Sequence, residues 1–379
     1  MGVVEGEFGF RVGRLPSGPL GAITDVPGVH VGHATLSDGP IRTGVTAIVP
    51  TQLDARRRTL PAAVAVGNGH GKLVGSTQVD ELGTIETAIL LTNTLSVHRV
   101  ADALLTHELA RPGREDVVTL NLLVGETNDG RLSDIRARPV TEQHVLDALA
   151  AAAPGPVEEG CVGAGTGTCA IGFKGGIGTA SRATGPGQGW TVGALVQSNF
   201  GGTLRINGVP MPAEELLEGI APRTTAEHAE ATAPQGNSCM IVVATDAPVD
   251  ARQLGRVARR AVFAMDRVGA DFAHGSGDYA IAFTTHDAPG RVQPPEGAPV
   301  SRQPSTSGVT SALVNSALAT PPIPDAQLDP LFAATMEAVE EALVSSLVHA
   351  VTTTGYRDHT AYALPRDRVV ERLRAAGHS

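Results

Sequence analysis

Aromatic residues are nearly missing from this chain: one Trp, three Tyr and eight Phe occur among 379 residues. A core must then be filled by Ala, Val, Ile and Leu, side chains that pack in small units. Cysteine is as sparse. Cys161, Cys169 and Cys239 are an odd number, which excludes a disulfide framework, and Cys161 and Cys169 are not at zinc-ligand spacing. Small buried thiols are the expected reading. Basic charge is not in excess. Lys and Arg number 29 against 39 Asp and Glu, a net charge of −10, which argues against nucleic acid or an anionic membrane as partner. No stretch reaches the roughly 18–20 uninterrupted apolar residues of a membrane span. Residues 1–21 lack the continuous apolar segment of a secretory signal. A cytoplasmic location is expected.

Glycine and proline are abundant, at 45 and 26 residues. They favour tight turns and short strands over a helical bundle. Strand-like runs occur at 43–50, 62–67, 88–91, 117–124, 190–197, 239–244 and 279–283. The run 239–244 (CMIVVA) is apolar throughout, as suits a strand buried on both faces. Helical spacing appears at 96–110 after Ser96, at 141–153 after Thr141, at 250–268, and at 329–351 with Pro330 in the first turn. The arginines of 250–268 read as a solvated face. Alternating short strands and helices predict a layered α/β or α+β protein.

Several patterns point away from cofactors. The glycine-dense stretch 160–180 has neither GxGxxG after a strong strand nor a phosphate-loop GK[ST], because Gly175 follows Lys174. His30 and His33 fall on opposite faces of a strand, and Asp358-His359 has no further ligand at suitable spacing. Neither a metal nor a cofactor is expected. His70 and His274 sit in glycine-rich turns, where they are either turn residues or pocket residues.

The most informative stretch is 234–243, PQGNSCMIVV. A polar segment (220–235) without periodicity meets an apolar strand at Ser238. A serine there is an ordinary feature of a loop-to-strand boundary. It also has a chemical possibility. If Ser238 attacks the carbonyl of Asn237, the bond passes through an ester and hydrolyses, leaving a serine with a free α-amine. That amine has an unperturbed pKa of ~7.7–8.0, so it serves as a base at neutral pH.

Other segments bear on the choice. ITDVPGVHVGH (23–33), ETAILLTNT (86–94), VGETNDGRLSDI (124–135), GALVQSNFG (193–201), GNSCMIVVATDAP (236–248) and GSGDYAIAF (275–283) occur in that order. Together they resemble the DmpA/BapA family of L-aminopeptidases/D-esterases and β-aminopeptidases, over about residues 23–364. The resemblance implies a single α+β domain over 1–379, a four-layer αββα sandwich of the DmpA/ornithine acetyltransferase type. It implies cleavage at Asn237–Ser238 into an α chain, 1–237, and a β chain, 238–379, that stay associated in a homo-oligomer, often a tetramer. The implied activity is metal-free release of N-terminal amino acids from short peptides, amides or esters with a free amine, β-amino acids included, through an acyl-enzyme on Ser238.

Residue by residue, the resemblance places Ser276 and Asp278 as the Ser-Gly-acid pair behind the nucleophile. It makes Asn199 the oxyanion donor and Glu126 the acid that holds the substrate's amine. One position departs. Better-known members have a tyrosine two residues after that acid, where this chain has Asn128. Asn128 then either supplies part of the tyrosine's hydrogen bonding or marks a different substrate range. Two other functions stay open on the same fold, acyl transfer to an amine and a non-catalytic binding or assembly role. The ornithine acetyltransferases cleave at a threonine, which Ser238 argues against.

Overall fold

Residues 239–244 are a continuous apolar run with no polar break, so an extended strand there needs cover on both faces. The computed structural model describes residues 2–9, 11–54, 58–185, 189–221, 238–286 and 321–378. In it, Cys239, Ile241 and Val243 face one core while Met240, Val242 and Ala244 face another. The strand is the middle of a sheet with helices on one side and a second sheet on the other.

In chain order the strands that frame the site are β1 (Val29–Leu36), β2 (Thr43–Pro50), β3 (Leu60–Gly69), β4 (Leu73–Val74), β5 (Thr84–Ile85), β6 (Ile89–Asn93), β7 (Leu123–Thr127), β8 (Ile177–Ala183), β9 (Thr191–Asn199), β10 (Ser238–Thr245) and β11 (Gly277–Thr284). The main helices are α1 (Val97–Leu109), α2 (Glu142–Ala150), α3 (Ala251–Arg267) and α4 (Asp329–Val348). One sheet runs β1-β2-β6-β7-β4 and the other β8-β9-β10-β11-β3-β5. Side chains of both sheets, among them Ile48, Leu91, Leu123, Leu195, Val242 and Ile281, make the central core. Helices α1 and α2 cover the first sheet over Val45, Ala47, Leu90 and Val124. Helices α3 and α4 cover the second over Val196, Ile241, Val243 and Ala280. The fold is therefore α+β, a four-layer αββα sandwich.

Helix α3 begins where Asp250 accepts from the Gln253 N–H at 2.7 Å, with Gln253 Oε1 accepting from the Asp250 N–H in return. It buries Leu254, Val257, Ala261 and Met265 as one stripe. Its arginines do more than face water. Arg260 lies 3.7 Å over the Phe332 ring, Arg252 pairs with Asp325 and Arg267 with Glu340, so they tie α3 to α4 and to the segment before it. The expected strand at 117–124 is shorter and later than its apolar run. Val118 is 86% exposed, and only Leu123 and Val124 enter β7.

Topology brings strand ends together. β10 and β11 are parallel, so both start at one edge of the sandwich, with Ser238 opposite Gly277. β9 runs antiparallel to β10, so its last residue, Asn199, lies opposite Ser238. β3 runs antiparallel to β11 and ends there too, Gly69 opposite Gly277. Ile281, fully buried between the sheets four positions along from that edge, tests the frame. Ile281→Ala should cost ~2–5 kcal/mol in urea unfolding, the range for deleting a large aliphatic side chain without collapse of its cavity.

Candidate active site

Ser238 is buried at the head of β10, on the face that looks into the space between the sheets, in line with Met240 and Val242. Asn237 lies outside the described residues. Two strands flank the serine. On one side Asn199 shares its face, and its Oδ1 accepts from the Cys169 N–H at 3.0 Å. That bond assigns the amide its orientation, with the NH2 as the end turned away from Cys169.

On the other side stand Ser276 and Asp278. Ser276 Oγ donates to Asp278 Oδ1 at 2.8 Å, and Asn68 Nδ2 donates to Asp278 Oδ2 at 3.3 Å. A bulge in β3 aims Asn68. Asp278 pairs with Asn68 but Tyr279 pairs with Val66, so Gly67 is the extra residue. Asn68 cannot turn its amide around without loss, because the same Nδ2 donates to Phe272 O at 2.9 Å. Burial pushes the Asp278 carboxyl above the usual aspartate value, while its bonds from Ser276, Asn68 and the Cys239 N–H pull the other way. His70 and His274 flank this pair. The His70 N–H donates to Ser276 O at 3.0 Å, and the two exposed rings lie 6.2 Å apart.

Glu126 comes from the other sheet, on β7 next to its last residue. It is buried, and burial pushes its carboxyl up, while Lys72 opposes the shift. Oε1 accepts from the Lys72 backbone N–H at 2.9 Å and lies 3.5 Å from Lys72 Nζ. Glycine is what lets Glu126 approach the β10–β11 edge. A Cβ on Gly71 would lie 3.2 Å from Glu126 Oε1, 3.1 Å from the Tyr279 ring and 3.3 Å from Gly277 Cα. Tyr279 faces the same inter-sheet space, its phenol raised by burial and by the Glu126 charge.

Asn128 is exposed, and its Oδ1 accepts from the Gly130 N–H at 2.9 Å in a local turn. Asp129, beside it, is fully buried, and burial pushes its carboxyl up to about 7. Lys174 is buried as well and donates to the Gly165 and Gly175 carbonyls at 3.1 and 2.6 Å, which accounts for its place in a glycine-dense stretch without a nucleotide. Sequence reasoning missed Asn68, Lys72 and Tyr279. Their signals are present in GNGHGK and GSGDY, but a motif does not say which of its members face the pocket.

Comparison with known proteins agrees with this geometry at two levels. The sandwich matches solved N-terminal-nucleophile hydrolases. The structure of L-aminopeptidase D-Ala-esterase/amidase from Ochrobactrum anthropi, titled a prototype for the serine aminopeptidases and a variant of the Ntn hydrolase fold, superposes with a TM-score of 0.80 at 32% identity, covering 96% of this chain and 97% of that one. A Burkholderia sp. β-aminopeptidase superposes with a TM-score of 0.82 at 38% identity over 100% of both chains. The family model described as peptidase family S58 matches residues 21–361, and the chain belongs to that family. β-Peptidyl aminopeptidase BapA of Sphingosinicella xenopeptidilytica is 39% identical over 378 residues, 94% of this chain and 88% of that protein. The chain is a hydrolase of the aminopeptidase kind. Among the described residues no helix is long and apolar enough to cross a membrane.

Proposed function

We propose that Ser238 is the nucleophile of this aminopeptidase and that it becomes an N-terminal residue by cleavage of the Asn237–Ser238 bond. The observation that supports the reading is the register of three strand ends: Asn199 lies opposite Ser238 on one neighbouring strand, and the hydrogen-bonded Ser276–Asp278 pair brackets Gly277, opposite Ser238 on the other. The freed α-amine takes the Oγ proton as Oγ attacks the substrate carbonyl. Ser276, donating its own proton to Asp278, keeps its lone pairs for the amine and so orients it. Asn199 Nδ2 donates to the developing oxyanion, a role worth ~2.7–4 kcal/mol in comparable sites. The amine passes its proton to the leaving nitrogen. Water then adds to the ester by the same route, and the free amino acid departs. Glu126 receives the substrate's ammonium, which restricts the enzyme to unblocked N-termini. Asn128, with its NH2 end outside the local turn, is assigned to the pocket rim.

The same reading carries two associated chains, 1–237 and 238–379, in one domain, assembled as a cytoplasmic homo-oligomer. The names of the relatives support β-aminoacyl substrates beside α-aminoacyl ones. Intact mass spectrometry and N-terminal sequencing test the proposal. The expected result is two fragments, the smaller beginning Ser-Cys-Met, with turnover of β-alanyl p-nitroanilide and none of its N-acetyl derivative. A single uncut chain without turnover would overturn it. Glu126→Gln should raise KM roughly tenfold, the scale of one charge-assisted hydrogen bond, with a smaller change in kcat.

A further inference from the structure

Lys72 is the outer member of an unusual pair. Its side chain is 48% exposed while that of Glu126 is 3% exposed, and the two are 3.5 Å apart. Nζ is steadied by donating to Thr94 Oγ1 at 2.7 Å. The carboxylate that would receive a ligand's ammonium therefore already has an ammonium beside it. Glu126 is almost closed to solvent, and Lys72 is an exposed charge directly beside it. A substrate bringing only an amine meets a like charge and has to displace Nζ. A substrate bringing an amine and a carboxylate on one carbon does not. Its amine faces Glu126, its carboxylate faces Lys72, and the charges alternate. The flexible four-carbon stem of lysine allows Nζ to turn toward such an acid without moving the backbone.

Glu126 lies close to the edge where β10 and β11 begin. Gly71 bridges Glu126 Oε1 and Gly277 Cα, each a little over 3 Å from where its Cβ would be. Ser238 is opposite Gly277 on the next strand, about 4.8 Å away. The length of the acyl group follows the proposed function, whose β-aminoacyl substrates carry the amine on the third carbon. We propose that the site selects β-aspartyl groups, 3-aminoacyl units whose third carbon also carries a carboxylate, and that Lys72 is the specificity-determining residue. The inference rests on the assignment of Ser238 and Glu126 above. Chemically the step is the same. The Ser238 Oγ–acyl bond forms, the β-amide C–N bond breaks, the amine leaves with the proton that Oγ gave up, and water releases free aspartate.

The test compares β-aspartyl, γ-glutamyl and β-alanyl p-nitroanilides on the cleaved wild-type enzyme, on Lys72→Met and on Lys72→Arg. Wild type should favour the β-aspartyl compound over β-alanyl in kcat/KM by roughly tenfold, the scale of one charge-assisted contact. γ-Glutamyl, one methylene longer, should fall below β-aspartyl. Lys72→Met should change the two main substrates in opposite directions, lowering β-aspartyl and raising β-alanyl turnover. Lys72→Arg should keep the wild-type preference. A merely structural lysine would lower both substrates together, and that result would overturn the proposal. So would a wild-type preference for β-alanyl. Failure to cleave at Asn237–Ser238 with no turnover of any of the three would instead remove the underlying nucleophile assignment, and the specificity with it.

Discussion

Ser238→Ala leaves one uncut chain of 379 residues and no measurable aminopeptidase turnover. The expected loss in kcat is on the order of 10⁵–10⁶, the scale seen when a nucleophile is removed from a hydrolase. Two defects combine. Alanine has no oxygen to attack the Asn237 carbonyl, so the α-amine is never released as a base. It also has no oxygen to hold the acyl group. The fold should survive, because the substitution removes one atom at the end of a strand whose inner residues, Cys239 to Ala244, supply the packing. Unfolding midpoints close to wild type would separate loss of chemistry from loss of structure. Ser238→Cys gives the complementary result, since a thiol keeps a nucleophile and an α-amine in the same residue. It should be cleaved, more slowly, and retain partial turnover. Cleavage that persists in Ser238→Ala would place the nucleophile elsewhere.

The parts of the molecule that were legible in the sequence are those where one local pattern has one structural solution. CMIVVA can be covered only on both faces, and it forms the central strand β10. The apolar stripe of 250–268 defines α3 within a residue at each end. The run at 117–124 misled because its apolar residues are not where burial is. Val118 is solvent-facing, while the strand proper begins at Leu123 and takes in the polar Glu126 and Thr127. The stretch 160–180 has too little side chain to show any period, and its backbone is ordered by distant partners, such as the Lys174 N–H donating to the Tyr362 carbonyl. The same distinction divides the site. Ser238, Asn199, Ser276, Asp278 and Glu126 stand out because ordered motifs surround them. Asn68 acts on Asp278 across 210 residues of chain, and Lys72 meets Glu126 across 54. Contacts of that kind depend on sheet order and on a bulge, neither of which a one-dimensional pattern contains.

Asp278→Asn is expected to lower kcat by ~10²–10⁴-fold, the range for removing positioned proton transfer, while leaving the protein more stable at neutral pH. The hydrogen bonds explain the first effect. Asn68 Nδ2 is held by Phe272 O and must keep donating, so the new amide has to present its oxygen to Asn68 and its NH2 to Ser276. Ser276 then accepts where it had donated. Its hydroxyl proton turns outward, and the lone pairs that would orient the Ser238 amine are taken. Linkage explains the second effect. Burial raises the Asp278 carboxyl above 3.8, so the folded protein binds this proton more tightly than the unfolded chain does. The stability that comes with the proton is present at low pH and is lost as pH rises through the raised value. Asparagine carries no such charge, so the variant should melt higher than wild type near pH 7 and converge with it in acid. The part of the acid limb of kcat that comes from Asp278 taking up its proton should disappear, leaving the part set by protonation of the Ser238 α-amine. The acid limb of kcat/KM should remain, because Glu126 is also raised by burial and titrates in substrate binding. Equal losses of activity and melting temperature would make Asp278 a structural residue and leave Ser276 without its orienting partner.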